Sequence, residues 1–267
     1  MNIGMIGHGV VGSAVASGLR DLGHDVGIYD IKYENSSIKD VSDAEICFIC
    51  VPTPPVKYTE GCDTSIVKKV VAELNDIGYT GIVVIKSTVV PGTTKVLQNQ
   101  YLDLNISFVP EFLRERSAYA DFTNNHDVCI IGTEDKETYN KIKECHGHYP
   151  SKFVQVSPTE AEVTKYFNNV YNSTLIIFAN SFYEICKSLG ADYTKIKNAI
   201  VNRPHITDQY LDCNKNLRGF GGVCLPKDLK AIVALCKEKG VNVDFFETLL
   251  KENNKFKTTV YEGMRKE

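Results

Sequence analysis

The sequence has little net charge, no long apolar run and no disulfide-like cysteine spacing. A formal net charge of −3 argues against a broad electrostatic surface for nucleic acid or an anionic membrane. No apolar run reaches the length of a membrane span, and the first residues lack the basic segment and cleavage site of a signal peptide. Nine scattered cysteines, an odd number, predict reduced thiols and a cytoplasmic protein.

Two cysteine patterns lack the partners that a metal site requires. Cys47 and Cys50 have C-x-x-C spacing but lie in an apolar predicted strand, so we interpret them as buried structural residues. Cys145-His146-Gly147-His148 has no second cluster beside it in the sequence, and we interpret it as a surface turn. The sequence therefore predicts no metal site.

A glycine motif lies between a predicted strand at residues 2–6 and a predicted helix at residues 13–22. Gly7-His8-Gly9-Val10-Val11-Gly12 matches the fingerprint G-x-G-x-x-G of dinucleotide-binding proteins. We expect Gly7, Gly9, Val11 and Gly12 to bind the cofactor, because glycines allow the tight turn and the close approach of the pyrophosphate. A second strand, residues 26–29, ends in Asp30, which would accept from the ribose hydroxyls and repel a 2′-phosphate. The prediction is NAD rather than NADP.

Further apolar segments alternate with helical ones over the first 157 residues. Strands are predicted at residues 45–51, 82–86, 106–109, 128–131 and 153–156, a rhythm typical of a parallel, doubly wound α/β sheet. In such sheets ligands bind at the carboxyl ends of strands, so residues 52–55, 86–93 and 110–115 are candidate site loops.

The third of these loops carries two glutamates. Pro110 is expected to begin a helix that places Glu111 and Glu115 on one face. Two carboxylates at this spacing are suited to positioning a water or sharing a proton. The other interpretation is an ordinary solvated helical turn with Arg114 as counter-charge.

The second part of the chain is predicted to be an all-α domain, residues 158–267. Ser157 and Glu160 indicate a capped helix start, and the helical pattern runs to residue 189 before Gly190. The apolar second half of this helix is expected to be buried, in part against another subunit. Lys165 and Asn169 are four apart and suited to stabilising an oxyanion, although a solvent-facing polar strip fits equally well. Shorter helices are expected at 191–201, 228–239 and 244–264.

One stretch near the C-terminus combines a flexible loop with a thiol. It reads Gly219-Phe220-Gly221-Gly222-Val223-Cys224-Leu225-Pro226-Lys227-Asp228. Pro226 suits the first helical position, so Cys224 is expected just before a helix N-terminus, whose partial positive charge favours the thiolate. Lys227 adds a cation and Asp228 a potential acid or base. The pattern predicts a reactive nucleophile.

These motifs together resemble the UDP-glucose/GDP-mannose dehydrogenase family. Besides the N-terminal fingerprint and the cysteine stretch, the similarity covers Val-Pro-Thr-Pro at 51–54, Lys-Ser-Thr-Val-Val-Pro-Gly-Thr at 86–93, Pro-Glu-Phe-Leu-Arg-Glu at 110–115 and Ala-Glu-Val-Thr-Lys-Tyr-Phe-Asn-Asn at 161–169. The motifs stand in the family's order along nearly the whole chain.

The resemblance implies an enzyme that oxidises a sugar 6-hydroxyl, that of UDP-glucose for example, to a carboxylate while reducing two NAD. It implies that Cys224 attacks the intermediate aldehyde to give a thiohemiacetal and then a thioester. Lys165 and Asn169 would hold the oxyanion, and Asp228, Thr88 and Glu111 would orient or activate water. Contacts with NAD or support of the site would come from Thr53, Thr88, Glu115 and Lys227, and contacts with the sugar nucleotide from Glu111, Phe112, Leu113, Lys165, Asn169 and Gly221. The long helix 158–189 would form a homodimer.

The sequence departs from the family in three respects. The family has a C-terminal UDP-binding domain, which is expected to be absent here. Arg116 stands where the family has glycine after the glutamate corresponding to Glu115. The family's substrate-binding arginine has no clear counterpart, and His205, Arg203 and Arg218 are the nearest candidates.

These departures leave two other hypotheses open. A two-domain β-hydroxyacid dehydrogenase also pairs a Rossmann domain with a helical one and needs no thiol. A non-catalytic, dimeric NAD-binding remnant, or one subunit of a split enzyme, would fit the expected absence of the third domain.

Overall fold

The computed structural model describes residues 1–56, 61–222 and 224–256. The chain divides into two compact units, the first comprising Met1–Pro54 and Cys62–Lys165 and the second formed by residues from Tyr166 onward. The long helix Pro158–Leu189 begins in the first unit and continues in the second. The domain boundary predicted between residues 157 and 158 stays a prediction.

A seven-stranded sheet forms the centre of the first unit, counted over the described residues. Its strands are β1 (Asn2–Ile6), β2 (Asp25–Tyr29), β3 (Ile46–Ile49), β4 (Ile82–Ile85), β5 (Asn105–Phe108), β6 (Cys129–Gly132) and β7 (Phe153–Val156), in the spatial order β2-β1-β3-β4-β5-β6-β7. β3 and β4 are apolar and buried along their whole length, as expected for strands covered by helices on both faces. The predicted α/β sheet is confirmed, with strand ends within a few residues of the predicted ones.

The sheet is parallel except at one pair. β5 and β6 are antiparallel, joined through Phe108 and Gly132, whereas β6 and β7 are parallel to each other. β1 lies between β2 and β3, so the strand order reverses beside it. Dinucleotides bind at the carboxyl edge of such a reversal. That edge is where the glycine motif follows β1.

Helices cover both faces of this sheet. They are α1 (Val10–Asp21), α2 (Ser65–Asp76), α3 (Thr93–Gln100), α4 (Ala118–Thr123) and α5 (Lys136–His146), with 3-10 turns at Ile38–Val41 and Glu115–Ser117. One apolar cluster centres on Phe48, Val84 and Phe122, and the other on Ile49, Val83 and Leu97. The two clusters use alternate residues of the same strands, which fixes the register of the sheet.

The second unit is helical in its described part. The long helix α6 (Pro158–Leu189) is followed by α7 (Tyr193–Ile200), α8 (Cys224–Lys239) and α9 (Phe245–Asn253). At its start Ser157 and Glu160 form the predicted capping box, the backbone N–H of each donating to the side chain of the other. The expectation of a last helix reaching residue 264 lies, past residue 256, outside the described residues.

Two local predictions were wrong. No helix begins at Pro110: the chain is irregular until the 3-10 turn at Glu115, so Glu111 and Glu115 do not share a helix face. Cys145 and His146 are not in a surface turn but end α5 with fully buried side chains. In the apolar second half of α6, Phe178, Phe182 and Ile185 are exposed in the single chain, so the expected burial of this half against another subunit stays a prediction.

Among the described helices, α6 included, we find none that combines the length and the apolar character needed to cross a membrane.

Candidate active site

The loop after β1 has the shape that a dinucleotide requires. Gly7 has a φ of +89°, and a Cβ there would lie 2.5 Å from the carbonyl oxygen of Cys50. A Cβ on Gly12 would lie 1.9 Å from the carbonyl oxygen of Gly7, whereas one on Gly9 would point into open space. Glycine is therefore needed at residues 7 and 12 for the turn, and residue 9 leaves room beside the start of α1. Val11 lies in the first turn of that helix.

Asp30 follows β2 and faces this loop. Its carboxylate accepts from the backbone N–H of His8 at 2.6 Å and from that of Lys32 at 3.0 Å. Burial on its own would raise the pKa of Asp30, but these hydrogen bonds and the Lys32 ammonium, 3.5 Å away, hold the pKa below its usual value. An ionised carboxylate next to the glycine loop is suited to accepting from ribose hydroxyls. The residues present fit the dinucleotide.

A buried thiol joins the loops after β3 and β4. The Cys62 thiol lies 3.2 Å from the carbonyl oxygen of Thr88 and 3.7 Å from that of Thr53. The hydroxyl of Ser87 also links these loops, since it donates to the carbonyl of Val51 at 2.8 Å. The structure thus brings Thr53 and Thr88 together, and Cys62 is a residue that sequence reasoning missed.

Glu111, predicted to act on water, is held by its surroundings at the end of β5. Its Oε2 pairs with Lys86 Nζ at 3.0 Å, and its Oε1 accepts from the backbone N–H groups of Phe112 at 2.8 Å and Leu113 at 3.3 Å. Both members of the ion pair are buried. Burial would lower the pKa of Lys86, but the Glu111 carboxylate, together with the nearby Cys129 and Cys50, outweighs it and the pKa is raised. Glu111 thus shapes the loop in which it stands.

Lys165 binds the same loop from α6. Its ammonium donates to the backbone carbonyl of Glu111 and lies 5.5 Å from the centre of the Phe112 ring. The structure therefore brings together Lys165, Glu111 and Phe112, with Leu113 packed on the neighbouring apolar cluster. Sequence reasoning missed Lys86, although a lysine directly after four buried apolar residues was a usable signal.

Glu162, part of the same sequence motif as Lys165, has a structural role. Its carboxylate accepts from the backbone N–H of Gly92 at 2.5 Å, and from the N–H and hydroxyl of Thr94 at 2.8 and 2.6 Å. These donors stand at the N-terminus of α3, where backbone N–H groups have no partner within the helix. Burial raises the pKa of Glu162, and the three donors lower it only in part. Glu162 caps α3 from another helix.

Cys224 is exposed and is the first residue of α8, so this helix begins two residues before the start predicted at Pro226. Asp228 lies one turn further on and is buried, with its Oδ2 accepting from Asn169 Nδ2 at 2.6 Å. Lys227 Nζ lies 2.7 Å from the other oxygen, Oδ1. The second unit therefore places a thiol one turn away from a carboxylate with two partners. All nine cysteines are free.

The glycine loop before Cys224 is held by two buried asparagines that sequence reasoning missed. Asn253 of α9 bonds to both backbone groups of Phe220, and Asn180 of α6 accepts from the backbone N–H of Gly219. Gly221 follows these fixed residues and is half-buried.

Of the three candidates for the substrate-binding arginine, Arg218 is already engaged. Its guanidinium donates to Asn180 Oδ1 at 2.7 Å and to Glu184 at 2.5 Å, and lies between the rings of Tyr183 and Phe256. Arg203 and His205 are exposed. Glu115, expected near NAD, is exposed at the start of its 3-10 turn.

Within residues 1–56, 61–222 and 224–256, no three His, Cys, Asp or Glu side chains are grouped so as to hold a metal ion.

A doubly wound sheet with a dinucleotide loop, an acidic residue after β2 and a helical second unit defines the class of NAD-dependent dehydrogenases. Comparison with known proteins narrows the class. Residues 31–149 match the NAD-binding domain of the UDP-glucose/GDP-mannose dehydrogenase family, and residues 159–255 match its central domain. The chain belongs to this family, and NAD is its cofactor.

Individual relatives agree with this family assignment. The chain is 28% identical over 294 residues to the UDP-glucose 6-dehydrogenase YwqF of Bacillus subtilis (strain 168), covering 95% of this chain and 66% of YwqF. A UDP-glucose dehydrogenase structure from the archaeon Pyrobaculum islandicum superposes with a TM-score of 0.86 at 26% identity, over 95% of this chain and 68% of that one. The chain thus spans about two thirds of the length of these relatives.

A second kind of dehydrogenase shares the fold. A 3-hydroxyisobutyrate dehydrogenase from Mycobacterium tuberculosis superposes with a TM-score of 0.77 over 95% of this chain and 92% of that chain. The sequence identity is 14%, so this likeness shows the fold alone.

Proposed function

We propose that the protein oxidises the 6-hydroxyl of a nucleotide sugar, UDP-glucose or a close analogue, to the carboxylate through two oxidations, the second of which takes place on a covalent adduct with Cys224. The observation that carries the proposal is the exposed Cys224 at the start of α8, one turn from a buried Asp228 that Asn169 and Lys227 hold in place. A two-domain hydroxyacid dehydrogenase has no use for this thiol. Family membership supplies the substrate class.

When bound, NAD would accept one hydride in each oxidation, so that two NAD are reduced per substrate. In the first, the primary alcohol becomes an aldehyde and its hydroxyl proton leaves to a base. The Cys224 thiolate then adds to the aldehyde carbon, forming a C–S bond and a thiohemiacetal. Loss of a second hydride from that carbon, with the hydroxyl proton, gives a thioester. Water attacks the thioester, the C–S bond breaks, and the carboxylate and the thiol are released.

Lys165 and Asn169 are proposed to stabilise the oxyanion in these steps. The ammonium of Lys165 carries three N–H bonds, and it donates to the backbone carbonyl of Glu111. The amide of Asn169 has two, of which Asp228 accepts one. Both side chains are thus oriented by hydrogen bonds within the protein, and both carry N–H groups of the kind that an oxyanion site uses.

The three residues predicted to act on water are proposed to differ in role. Asp228 is one helical turn from Cys224 and is the candidate to orient or activate the water that attacks the thioester. Glu111 is proposed to act by holding its loop, with Phe112 and Leu113, for the sugar nucleotide, because both of its carboxylate oxygens already have partners. Thr88 is proposed to line the cofactor side through the loop that Cys62 joins to Thr53.

We further propose that a second copy of this chain packs on α6. Its exposed apolar residues recur every three, four or seven positions, at Tyr171, Phe178, Phe182, Ile185 and Leu189, and so form one stripe along the helix. The rings of Phe178 and Phe182 stand 4.7 Å apart within it. A stripe of this kind on a helix favours pairing with an identical helix. A homodimer in a reducing, cytoplasmic compartment would also fit the nine free thiols.

The stoichiometry of NADH tests the function. With UDP-glucose, or whichever nucleotide sugar is turned over, we expect two NADH per molecule consumed. Cys224→Ser should abolish release of the uronate, whereas Cys236→Ser, a change at a half-buried cysteine of the same helix, should leave it intact. Failure to form NADH with a panel of UDP- and GDP-sugars would contradict the proposal. NAD binding without such turnover would favour a non-catalytic NAD-binding protein.

The alternative candidate is a β-hydroxyacid dehydrogenase, whose fold this chain shares over almost the whole length of 3-hydroxyisobutyrate dehydrogenase. That reaction transfers one hydride and needs no thiol. A single NADH per substrate, unaffected by alkylation of Cys224, would select it.

A further inference from the structure

Asn253, near the end of the described chain, binds the backbone of the loop that precedes Cys224. Its Oδ1 accepts from the N–H of Phe220 at 2.7 Å, and its Nδ2 donates to the carbonyl of Phe220 at 3.0 Å. One side-chain amide thereby satisfies both backbone groups of a single residue. Asn253 is only 7% exposed, so water does not replace these bonds readily.

A second asparagine holds the preceding residue from another helix. Asn180 of α6 is 1% exposed, and its Oδ1 accepts from the N–H of Gly219 at 3.1 Å and from Arg218 Nε at 2.7 Å. Its own Nδ2 donates to the carbonyl of Ile176 at 2.8 Å, which fixes the orientation of the amide. Gly219 and Phe220 are therefore attached to α6 and α9 at once.

The loop needs such attachment because of its composition. Gly219 and Gly222 have φ values of +61° and +76°, and glycine loses more conformational entropy on ordering than any other residue. The ring of Phe220 is buried against Val170 and Leu229, which anchors the loop from its apolar side. Between this anchor and Cys224 no further side-chain hydrogen bond to the backbone is present among the described residues.

We propose that Asn253 is a positioning residue for Cys224: its paired hydrogen bonds to Phe220 fix the glycine loop that leads into the nucleophile, with Asn180 in support. The inference rests on the proposed function only in so far as it makes Cys224 the reacting group. The fixing of the loop itself is a property of the second unit and is measurable without substrate.

Two adjacent asparagines provide the matched pair for the test. Asn253→Ala removes both bonds to Phe220, and Asn254→Ala changes the neighbouring exposed asparagine. Hydrogen exchange measured by mass spectrometry should show amides of residues 218–222 exchanging at least tenfold faster in Asn253→Ala and unchanged in Asn254→Ala. Asn253→Leu, which keeps the branched shape of the side chain without its polar atoms, should behave as Asn253→Ala does and serves if the alanine variant does not fold. Equal exchange in the Asn253 and Asn254 variants would overturn the proposal.

Measuring kcat distinguishes a positioning role of Asn253 from an effect on stability alone. Asn253→Ala should lower kcat at least tenfold while the KM for NAD stays within twofold, since the glycine motif and Asp30 belong to the first unit. Faster exchange with unchanged kcat would overturn the positioning role. If the unaltered protein forms no NADH with any nucleotide sugar, the proposed function fails, and the exchange comparison still decides whether Asn253 fixes the loop.

Discussion

The buried ion pair between Lys86 and Glu111 provides the sharpest test of how the first unit holds its site loop. Lys86→Met leaves the Glu111 carboxylate buried without its cation. Removing one partner of a buried pair costs about 3–5 kcal/mol of unfolding free energy. Because the N–H groups of Phe112 and Leu113 still donate to Glu111, we expect the low end, about 3 kcal/mol.

The control and the double variant determine the interpretation. Lys69→Met removes an exposed partner of Glu73 at 3.6 Å in α2 and should cost less than about 0.5 kcal/mol. Lys86→Met combined with Glu111→Gln removes both charges and should lie within about 1 kcal/mol of the unaltered protein. The coupling between the two changes is then about 2 kcal/mol or more.

Urea unfolding followed by far-UV circular dichroism measures these differences as shifts of the midpoint. Two results would refute the reasoning. One is a loss of unfolding free energy in Lys86→Met that is no larger than the loss in Lys69→Met. The other is a double variant as unstable as the single one, which would mean that the charge left on Glu111 is not the cause.

Two further predictions concern the cofactor loop and acid stability. Gly12→Ala places a Cβ 1.9 Å from the carbonyl oxygen of Gly7 and should weaken NAD binding, measured by calorimetry, at least tenfold. By comparison, the Cβ that Gly9→Ala adds meets only open space in the protein. An unchanged NAD affinity in Gly12→Ala would contradict this geometry. Burial lowers the pKa of His146 from 6.5 to about 3. The stability contributed by the neutral, buried imidazole is therefore present above pH 6.5 and is lost as the pH falls towards 3, at about 1.4 kcal/mol per pH unit. His146→Phe should flatten this part of the stability curve and His148→Phe, at an exposed position, should not.

Local patterns predicted the elements of the first unit well because each strand is an apolar run between turn residues. β4 is predicted at residues 82–86 and observed at Ile82–Ile85, and α6 ends at Leu189 before Gly190 as predicted. The direction of β6 was beyond such reasoning. The apolar pattern of a strand predicts that the strand is buried. Whether it pairs parallel or antiparallel depends on which strand the tertiary structure places beside it.

Sequence reasoning found the candidate site residues whose type and spacing alone indicate their chemistry. It missed those whose role depends on a partner that is distant in the sequence. The glycine motif and Asp30 follow from backbone geometry and charge, so spacing suffices. Pro110 resembled a helix start, but the chain is irregular there, and the Glu111 side chain accepts from the N–H groups of Phe112 and Leu113 within its own loop. Asn253 had no signal at all, since its partner Phe220 lies 33 residues earlier.

The bonds between Asn253 and Phe220 also constrain how the chain folds during synthesis. A ribosome releases the glycine loop and Cys224 well before α9, and domains fold as their segments emerge. Until residue 253 has left the ribosome, the backbone of Phe220 lacks the amide that completes its hydrogen bonds. The thiol therefore emerges on a loose segment, and its setting is completed by one of the last parts of the described chain to be made. In this order of events, the loop before Cys224 is fully held only after α9 has been made.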